Sequence, residues 1–259
     1  VASRRSDHLY RTEAIVLRRL DLGEADRILT LYTLHHGKLK AIAKGARKPL
    51  SRKAGHLELF VRAELQIARG HDLDVISQAE MIEAYAALRE DLKRMAYAAY
   101  FVELVDSFTG ERDENRLLYH LLADGLGWLC ESTHLPRTAL YYDLHLLALS
   151  GYSPQLDVCV GCGQPLQPEA QFYSPAEGGV LCPACGEGRP GARALSLAAL
   201  KVLRHMQRSP YSAIDDLKLR PLTLRETERL LGDTIVYHLE YRPRSLAFLQ
   251  RLRREMRHD

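Results

Sequence analysis

Two cysteine pairs constrain this chain more than any other feature. Cys159-Val-Gly-Cys162 and Cys182-Pro-Ala-Cys185 each leave two residues between sulfurs, and 19 residues separate the pairs. A two-residue gap lets both thiolates of one tight turn point at a single ion, and the whole spacing lies in the range of tetrahedral zinc sites. Gly161, Gly163 and Gly186 stand where backbone amides must approach the sulfurs. A catalytic zinc keeps one position open, whereas four thiolates fill all four. One structural zinc ion held by Cys159, Cys162, Cys182 and Cys185 is therefore expected. Two disulfides, or free thiols left after loss of a metal, are the competing readings. Neither pair has the thioredoxin-like strand-to-helix setting of a redox C-x2-C motif. The fifth cysteine, Cys130, lies in an apolar helical run and reads as a buried, inert thiol.

The cysteines sit in residues 151–191, a stretch with Gly and Pro and no helical period, which reads as an inserted module. What flanks it is of two kinds. Residues 12–19, 28–34, 39–44, 57–68 and 73–78 are β-branched or alternating, separated by Gly23, His36-Gly37 and Gly70-His71-Asp72. Three early strands, a long connection and a closing hairpin suit a five-stranded OB-fold barrel over residues 1–80. From Ala84 the period changes. Tyr85, Leu88, Leu92, Met95, Ala99 and Val102 recur at helical steps. Helices are also predicted over 113–130, with Asp113 as N-cap, and over 138–149, with Pro136 near the start. Three more follow over 196–206, 223–239 and 245–256, with Thr223 and Glu226 fitting a capping box. The expected fold is α+β: the barrel, a helical domain in two parts (81–150 and 192–259), and the zinc module inserted between them.

Composition excludes other classes. The chain is 46% hydrophobic and 27% charged, as globular chains are, and no stretch approaches the ~20 apolar residues of a membrane span. Val1-Ala-Ser-Arg-Arg5 has no apolar signal-peptide core and no initiating Met, which predicts a trimmed start and a cytoplasmic protein.

The net charge of +3 conceals a division. Residues 1–53 carry 13 basic and 5 acidic side chains, and residues 54–150 carry 8 basic and 16 acidic. Between residues 27 and 57 there is no Asp or Glu, while Arg27, Lys38, Lys40, Lys44, Arg47, Lys48, Arg52 and Lys53 supply eight cations. The stretch from Lys44 to Lys53 adds Gly, Pro and Ser and is predicted to be a flexible arm. These eight residues are the candidate nucleic-acid contacts, since cations on such a surface neutralise phosphates whatever the base sequence. The first 80 residues hold only Tyr10, Tyr32 and Phe60 as aromatics, too few for a base-stacking platform. Binding should then be electrostatic, and about six neutralised phosphates give a slope of log K on log salt of about −4 for single strands and about −5 for duplex. Bases left unstacked remain free to pair with a second strand, which makes annealing possible. A weaker cationic cluster lies at Arg242, Arg244, Arg251, Arg253, Arg254 and Arg257.

No HExxH, Gly-x-Ser-x-Gly or P-loop pattern is present, and Lys44-Gly-Ala-Arg-Lys48 lacks the G-x4-G-K-S/T arrangement. No catalytic residue is assigned. His35 and His36 read as surface residues of a turn, and His120, His145, His205 and His238 as interfacial or capped. Asp21, Glu24 and Asp26 read as turn carboxylates that pair with Arg18, Arg19 or Arg27.

Several segments together resemble the bacterial RecO family of recombination mediators. They are Glu13-Ala-Ile-Val-Leu17, Leu22-Gly-Glu-Ala-Asp-Arg-Ile28, Lys44-Gly-Ala-Arg-Lys48, Gly55-His-Leu-Glu-Leu-Phe60, the segment from Phe172 to Cys182, and Tyr241-Arg-Pro-Arg-Ser245. The resemblance spans nearly the whole chain. It implies an OB domain plus a helical domain, without catalytic residues, that binds single- and double-stranded DNA and anneals complementary single strands, including strands coated by single-strand-binding protein (SSB). It further implies pairing with RecR and assistance to RecA loading on SSB-coated DNA. By matching position it assigns Lys44, Arg47 and Lys48 to the basic motif and the four cysteines to the zinc motif. Some family members lack those cysteines, which favours a structural zinc. Pro49-Leu50 departs from the family's basic, serine-rich loop. Two other classes stay open on the residues alone: an RNA-binding zinc-ribbon factor, and a zinc-dependent nuclease or deaminase using Glu177 or Glu187 as base.

Overall fold

Alternating apolar residues produce five strands in the computed structural model, which describes residues 9–214 and 216–255: β1 (Leu9–Leu22), β2 (Asp26–Thr33), β3 (Gly37–Ala43), β4 (Arg62–Ala68) and β5 (Asp74–Glu83). They close into a barrel in the order β1-β2-β3-β5-β4. Pairing is antiparallel except between β3 and β5, where Ala41 and Ile42 run parallel to Asp74 and Val75. β1 closes the barrel by pairing with two strands. Its Ala14 faces Thr33 of β2 and Ala63 of β4, and a register shift between Val16 and Arg18 lets it bend around the core. Ala14, Val16, Leu29, Leu31, Leu39, Ala41, Leu65, Ile67 and Ile76 point inward and are buried. This is the five-stranded OB-type barrel that the strand pattern predicts.

One predicted strand begins late. Residues 57–61 belong not to β4 but to a 3-10 turn at Gly55–Leu57 followed by Phe60 in the left-handed region (φ 71). Leu57, Phe60 and Val61 are nonetheless buried, so this stretch plugs the barrel as a loop, and its apolar residues imitate a strand in the sequence.

Asp74 opens β5 with its side chain 2% exposed. It accepts hydrogen bonds from Tyr10 Oη (2.8 Å), Gly70 N (3.2 Å) and Arg112 Nη2 (3.0 Å). Burial alone would raise its pKa, but these donors outweigh that and hold the carboxyl below the usual carboxylate range. A depressed folded value means that the contribution is present above the unfolded pKa of about 3.9 and is lost as pH falls through the folded one. Asp74→Ala should destabilise the barrel by about 1–3 kcal/mol in urea denaturation at neutral pH. The difference from the parent protein should vanish in strong acid; a constant difference across that range would contradict the assignment.

The predicted helix from Ala84 is two helices, α1 (Ala87–Glu90) and α2 (Leu92–Phe108). Asp91 interrupts them in an extended conformation and caps α2, accepting from Lys93 N and Arg94 N. The break resets the helical phase, so Leu92 and Met95, which the sequence places on the inner face, are 61% and 37% exposed, while Tyr97, Phe101, Leu104 and Val105 are buried. α3 (Arg116–Glu131) is capped by Asn115, whose Oδ1 accepts from Leu118 N, rather than by Asp113.

The chain divides into two compact units, Val1–Cys130 and Glu131–Asp259, whereas the sequence-based divisions follow changes of element type. In the second unit α4 (Leu135–Leu149) has Pro136 in its first turn, as predicted. A small sheet of β6 (Gln171–Ser174), β7 (Gly179–Leu181) and β8 (Arg193–Leu195), in the order β7-β6-β8, carries a single helical turn, α5 (Pro183–Gly186). α6 (Leu197–Arg208), α7 (Pro221–Leu239) and α8 (Arg244–Glu255) follow. α4, α6 and α7 pack on one another, so the helices on either side of the cysteine module do meet. The capping box does not form. Arg220 is the N-cap of α7, and Glu226 instead accepts from Ser196 N and Oγ, both at 2.6 Å, steadying the cap of α6. Among the described residues no helix is long and apolar enough to cross a membrane.

Candidate functional site

The two cysteine pairs come together. Cys159, Cys162, Cys182 and Cys185 place their four sulfurs within 4.8 Å of one another. Cys162 Sγ and Cys182 Sγ are 4.0 Å apart. Four sulfurs at ~2.3 Å from one ion stand about 3.8 Å apart, while a disulfide requires about 2.05 Å. The spacing therefore fits a tetrathiolate metal site, and none of the five cysteines is in a disulfide. Each pair turns tightly: Gly163 N donates to Cys159 O at 2.8 Å, and Gly186 N to Cys182 O at 2.8 Å.

Glycine allows a close approach at two of these positions. A Cβ on Gly161 would stand 3.3 Å from Cys185 Sγ, and one on Gly186 would stand 2.5 Å from the Phe172 ring. Cys182 N donates to Cys159 Sγ at 3.3 Å. Burial opposes ionisation of Cys159, but the amides of Cys182, Cys162 and Gly161 outweigh it and bring that thiol down to about 6. Cys185, hydrogen-bonded by the other three cysteines and beside the Cys159 thiolate, is pushed up to about 12. A cation bound among the four sulfurs would favour the thiolate form of each, because a coordinating thiol gives up its proton. Four sulfurs around one tetrahedral ion would leave no position for substrate. Glu177, a candidate base, is held by Arg189 at 2.6 Å.

On the barrel the structure sorts the eight candidate cations. Arg27 bonds Asp21 (3.0 Å) and Glu58 (3.2 Å), and Lys38 bonds Asp106 (3.1 Å); both side chains are 14% exposed. Lys40 pairs with Glu111 at 3.2 Å. Arg47 reaches Asp21 at 3.4 Å and Gly23 O at 2.7 Å. The Arg27 hydrogen bond, with Arg47 nearby, holds Asp21 below the usual carboxylate range. Lys53 donates to Ile76 O at 3.1 Å, and burial lowers its pKa. Lys44, Lys48 and Arg52 are exposed and have no carboxylate partner among the described residues. Arg19, outside the predicted set, pairs with Glu58, and Arg18 with Asp106.

The predicted flexible arm is in fact a fixed one. Ala46 is 1% exposed, Arg47 N donates to Ala25 O (2.9 Å), and Gly45 N donates to Asp26 Oδ1 (2.8 Å). Consecutive turns follow, from Lys48 N to Gly45 O and from Ser51 N to Lys48 O. The loop thus grips the β1–β2 turn with its backbone and turns its unpaired cations to solvent. No barrel ring is offered beside them. Tyr32 and Phe60 are 0% and 4% exposed, and Tyr10 is covered by His36 at 4.4 Å and by the Arg69 guanidinium at 5.6 Å. A polar cleft of about 440 Å³ near that tyrosine, lined by His35, His36, Arg69 and Arg112 together with Asp74 and Glu114, escapes sequence reading because it gathers four separate segments.

An OB-type barrel with an anchored cationic loop, followed by helices that carry a four-cysteine cluster able to hold a metal ion, defines a class of barrel-and-helix proteins. A family model described as "Recombination protein O N terminal" matches residues 8–85, and one described as "Recombination protein O C terminal" matches residues 89–247. The DNA repair protein RecO of Roseiflexus sp. (strain RS-1) is 42% identical over 251 residues, covering 97% of this chain and 88% of the relative. That of Desulforudis audaxviator (strain MP104C) is 40% identical over 245 residues, covering 94% and 97%. The chain belongs to the RecO family, whose members are named for recombination and DNA repair.

Proposed function

We propose that this protein is a non-enzymatic recombination mediator that holds single-stranded DNA by its phosphates and anneals complementary strands, including strands coated by SSB. RecR is its proposed partner, and RecA loading the proposed downstream step, in keeping with the family. The observation that carries this reading is the trio Lys44, Lys48 and Arg52, unpaired on an anchored loop of a barrel with no exposed aromatic ring. Phosphates held from one side leave Watson–Crick edges facing a second strand. Arg27, Lys38, Lys40, Arg47 and Lys53 add to the positive potential, and the exposed Lys40 pair can open when a phosphate competes. The metal is proposed to be a single zinc ion, the first-row metal that a tetrahedral four-thiolate set suits best.

A salt titration of the unaltered protein on a deoxythymidine oligomer tests the phosphate grip. Three phosphates on Lys44, Lys48 and Arg52 give a slope of log K on log salt of about −2, and opening the surface pairs of Arg18, Lys40 and Arg47 raises the count to six and the slope to about −4. A slope shallower than about −1 would overturn the reading. So would annealing of SSB-coated complementary strands that proceeds no faster with the protein than without it.

A further inference from the structure

The chain contains 13 Tyr, 5 Phe and 1 Trp, all at described positions. Only four of these rings are exposed: Tyr152 (43%), Tyr237 (50%), Tyr241 (49%) and Phe248 (43%). All four belong to the second unit.

Three of them gather at the end of α7. Tyr152 stacks on His238 with ring centroids 4.0 Å apart and planes at 24°, and Tyr237 meets the same imidazole edge-on at 5.3 Å. Glu240 ends α7 in a left-handed conformation (φ 60), and Tyr241 follows it. Arg242 then hydrogen-bonds Gln250, which ties this link to α8. On α8, Leu246 and Leu249 face inward at 8% and 1% exposure. Arg244, Phe248 and Arg251, spaced at four and three residues, therefore share the outer face, with an arginine one turn before and one turn after the ring residue. Among the described side chains of residues 237–252, the exposed Arg242, Arg244 and Arg251 outnumber the one acid, Glu240, while Asp233 is paired with Arg193 at 3.0 Å. Of the remaining arginines of the C-terminal cluster, Arg257 and the side chains of Arg253 and Arg254 lie outside the described residues.

We infer that this aromatic and arginine-flanked face binds unpaired nucleobases by stacking, a contact chemically distinct from the phosphate grip of the barrel loop. The inference rests on the DNA-binding reading above and deepens it. Rings offer sequence-tolerant platforms to bases, and guanidinium groups on either side neutralise the phosphates that accompany them. The surplus of cations favours a polyanion carrying bases over an uncharged apolar partner. The barrel lacks the exposed rings that this face supplies.

The test uses the full chain, the variant Tyr237→Ala/Tyr241→Ala/Phe248→Ala, and the variant Tyr237→Phe/Tyr241→Phe. Each is titrated with a deoxythymidine oligomer and with an abasic strand of equal length and charge. The unaltered protein should bind the base-bearing strand at least tenfold more tightly than the abasic one. The alanine variant should bind both strands alike, with its affinity for the abasic strand and its salt slope unchanged, and the phenylalanine variant should keep the discrimination. Retained discrimination in the alanine variant, or loss of its abasic-strand binding, would overturn the inference. Equal binding of both strands by the unaltered protein would overturn it too, leaving the face to a protein partner and the phosphate reading intact. Failure to bind either strand would overturn both readings.

Discussion

Converting Lys44, Lys48 and Arg52 together to glutamate is expected to weaken single-strand binding at least a hundredfold at about 0.1 M salt. The size follows from counterion release: three lost phosphate contacts remove about 2 from the slope of log K on log salt, and at 0.1 M that is about 2 in log K. Reversal adds repulsion to the loss. The contrast that makes this specific is with Arg27 and Lys38, which are formally equal cations in the same acid-free stretch. Both are 14% exposed and tied to Asp21, Glu58 or Asp106. Arg27→Ala or Lys38→Ala should leave the salt slope within about half a unit of the parent value and should instead lower the denaturation midpoint of the barrel unit, because each takes the more buried of two cationic partners from its carboxylates and leaves only the more exposed Arg47, Arg19 or Arg18. Fluorescence anisotropy across a salt series, with urea denaturation of the same variants, separates the two effects. An unchanged slope in the triple variant would remove the loop from the interface.

That contrast also marks where sequence reading stops. The stretch from residue 27 to residue 57 has no acid in the chain, yet Asp21, Glu58, Asp106 and Glu111 surround it in space. Partners up to 71 residues away sort its cations into structural and free ones, and no local pattern carries that information. The same reasoning explains Glu226, which satisfies a local capping motif but is taken by Ser196, 30 residues away. Local signals were legible. Alternation marked the barrel strands because one face of each packs inward, and the cysteine pairs were readable because each is a single tight turn. Between these extremes stand Phe60 and Asp91. Their burial or polarity suits a strand or a helix, but a left-handed φ at one and a cap at the other redirect the backbone, which apolar periodicity does not register.

Removing the metal should unfold the module that it centres while sparing the barrel. The sheet of β6, β7 and β8 has strands of four, three and three residues, far too little to stand alone without a staple. A structural zinc contributes about 10–16 kcal/mol in small zinc-binding peptides, against a total stability of about 5–15 kcal/mol for a whole domain. The effect should spread into the helices, because Tyr173 of β6 bonds Thr234 of α7 at 3.2 Å and Arg204 of α6 bonds Leu156 O at 2.8 Å. Position sets the order of severity. Cys159→Ser, at a site 1% exposed where the sulfur accepts the Cys182 amide, should be worse than Cys162→Ser on the exposed side of the cluster. Metal analysis should find one zinc per chain in the parent protein and a deficit in either variant. Chelation should open the segment around Gly186 and Gly191 to protease, and lower pH should promote metal loss because protons compete for thiolates. Binding of an abasic strand, which reports phosphate contacts without base stacking and draws mainly on the barrel loop, should stay within about threefold of the parent value, less than the tenfold step of ~1.4 kcal/mol. A chelated protein whose cysteine segment resists protease as before would show that the sheet stands without the ion. Loss of abasic-strand binding on chelation would give the metal a part in strand binding itself.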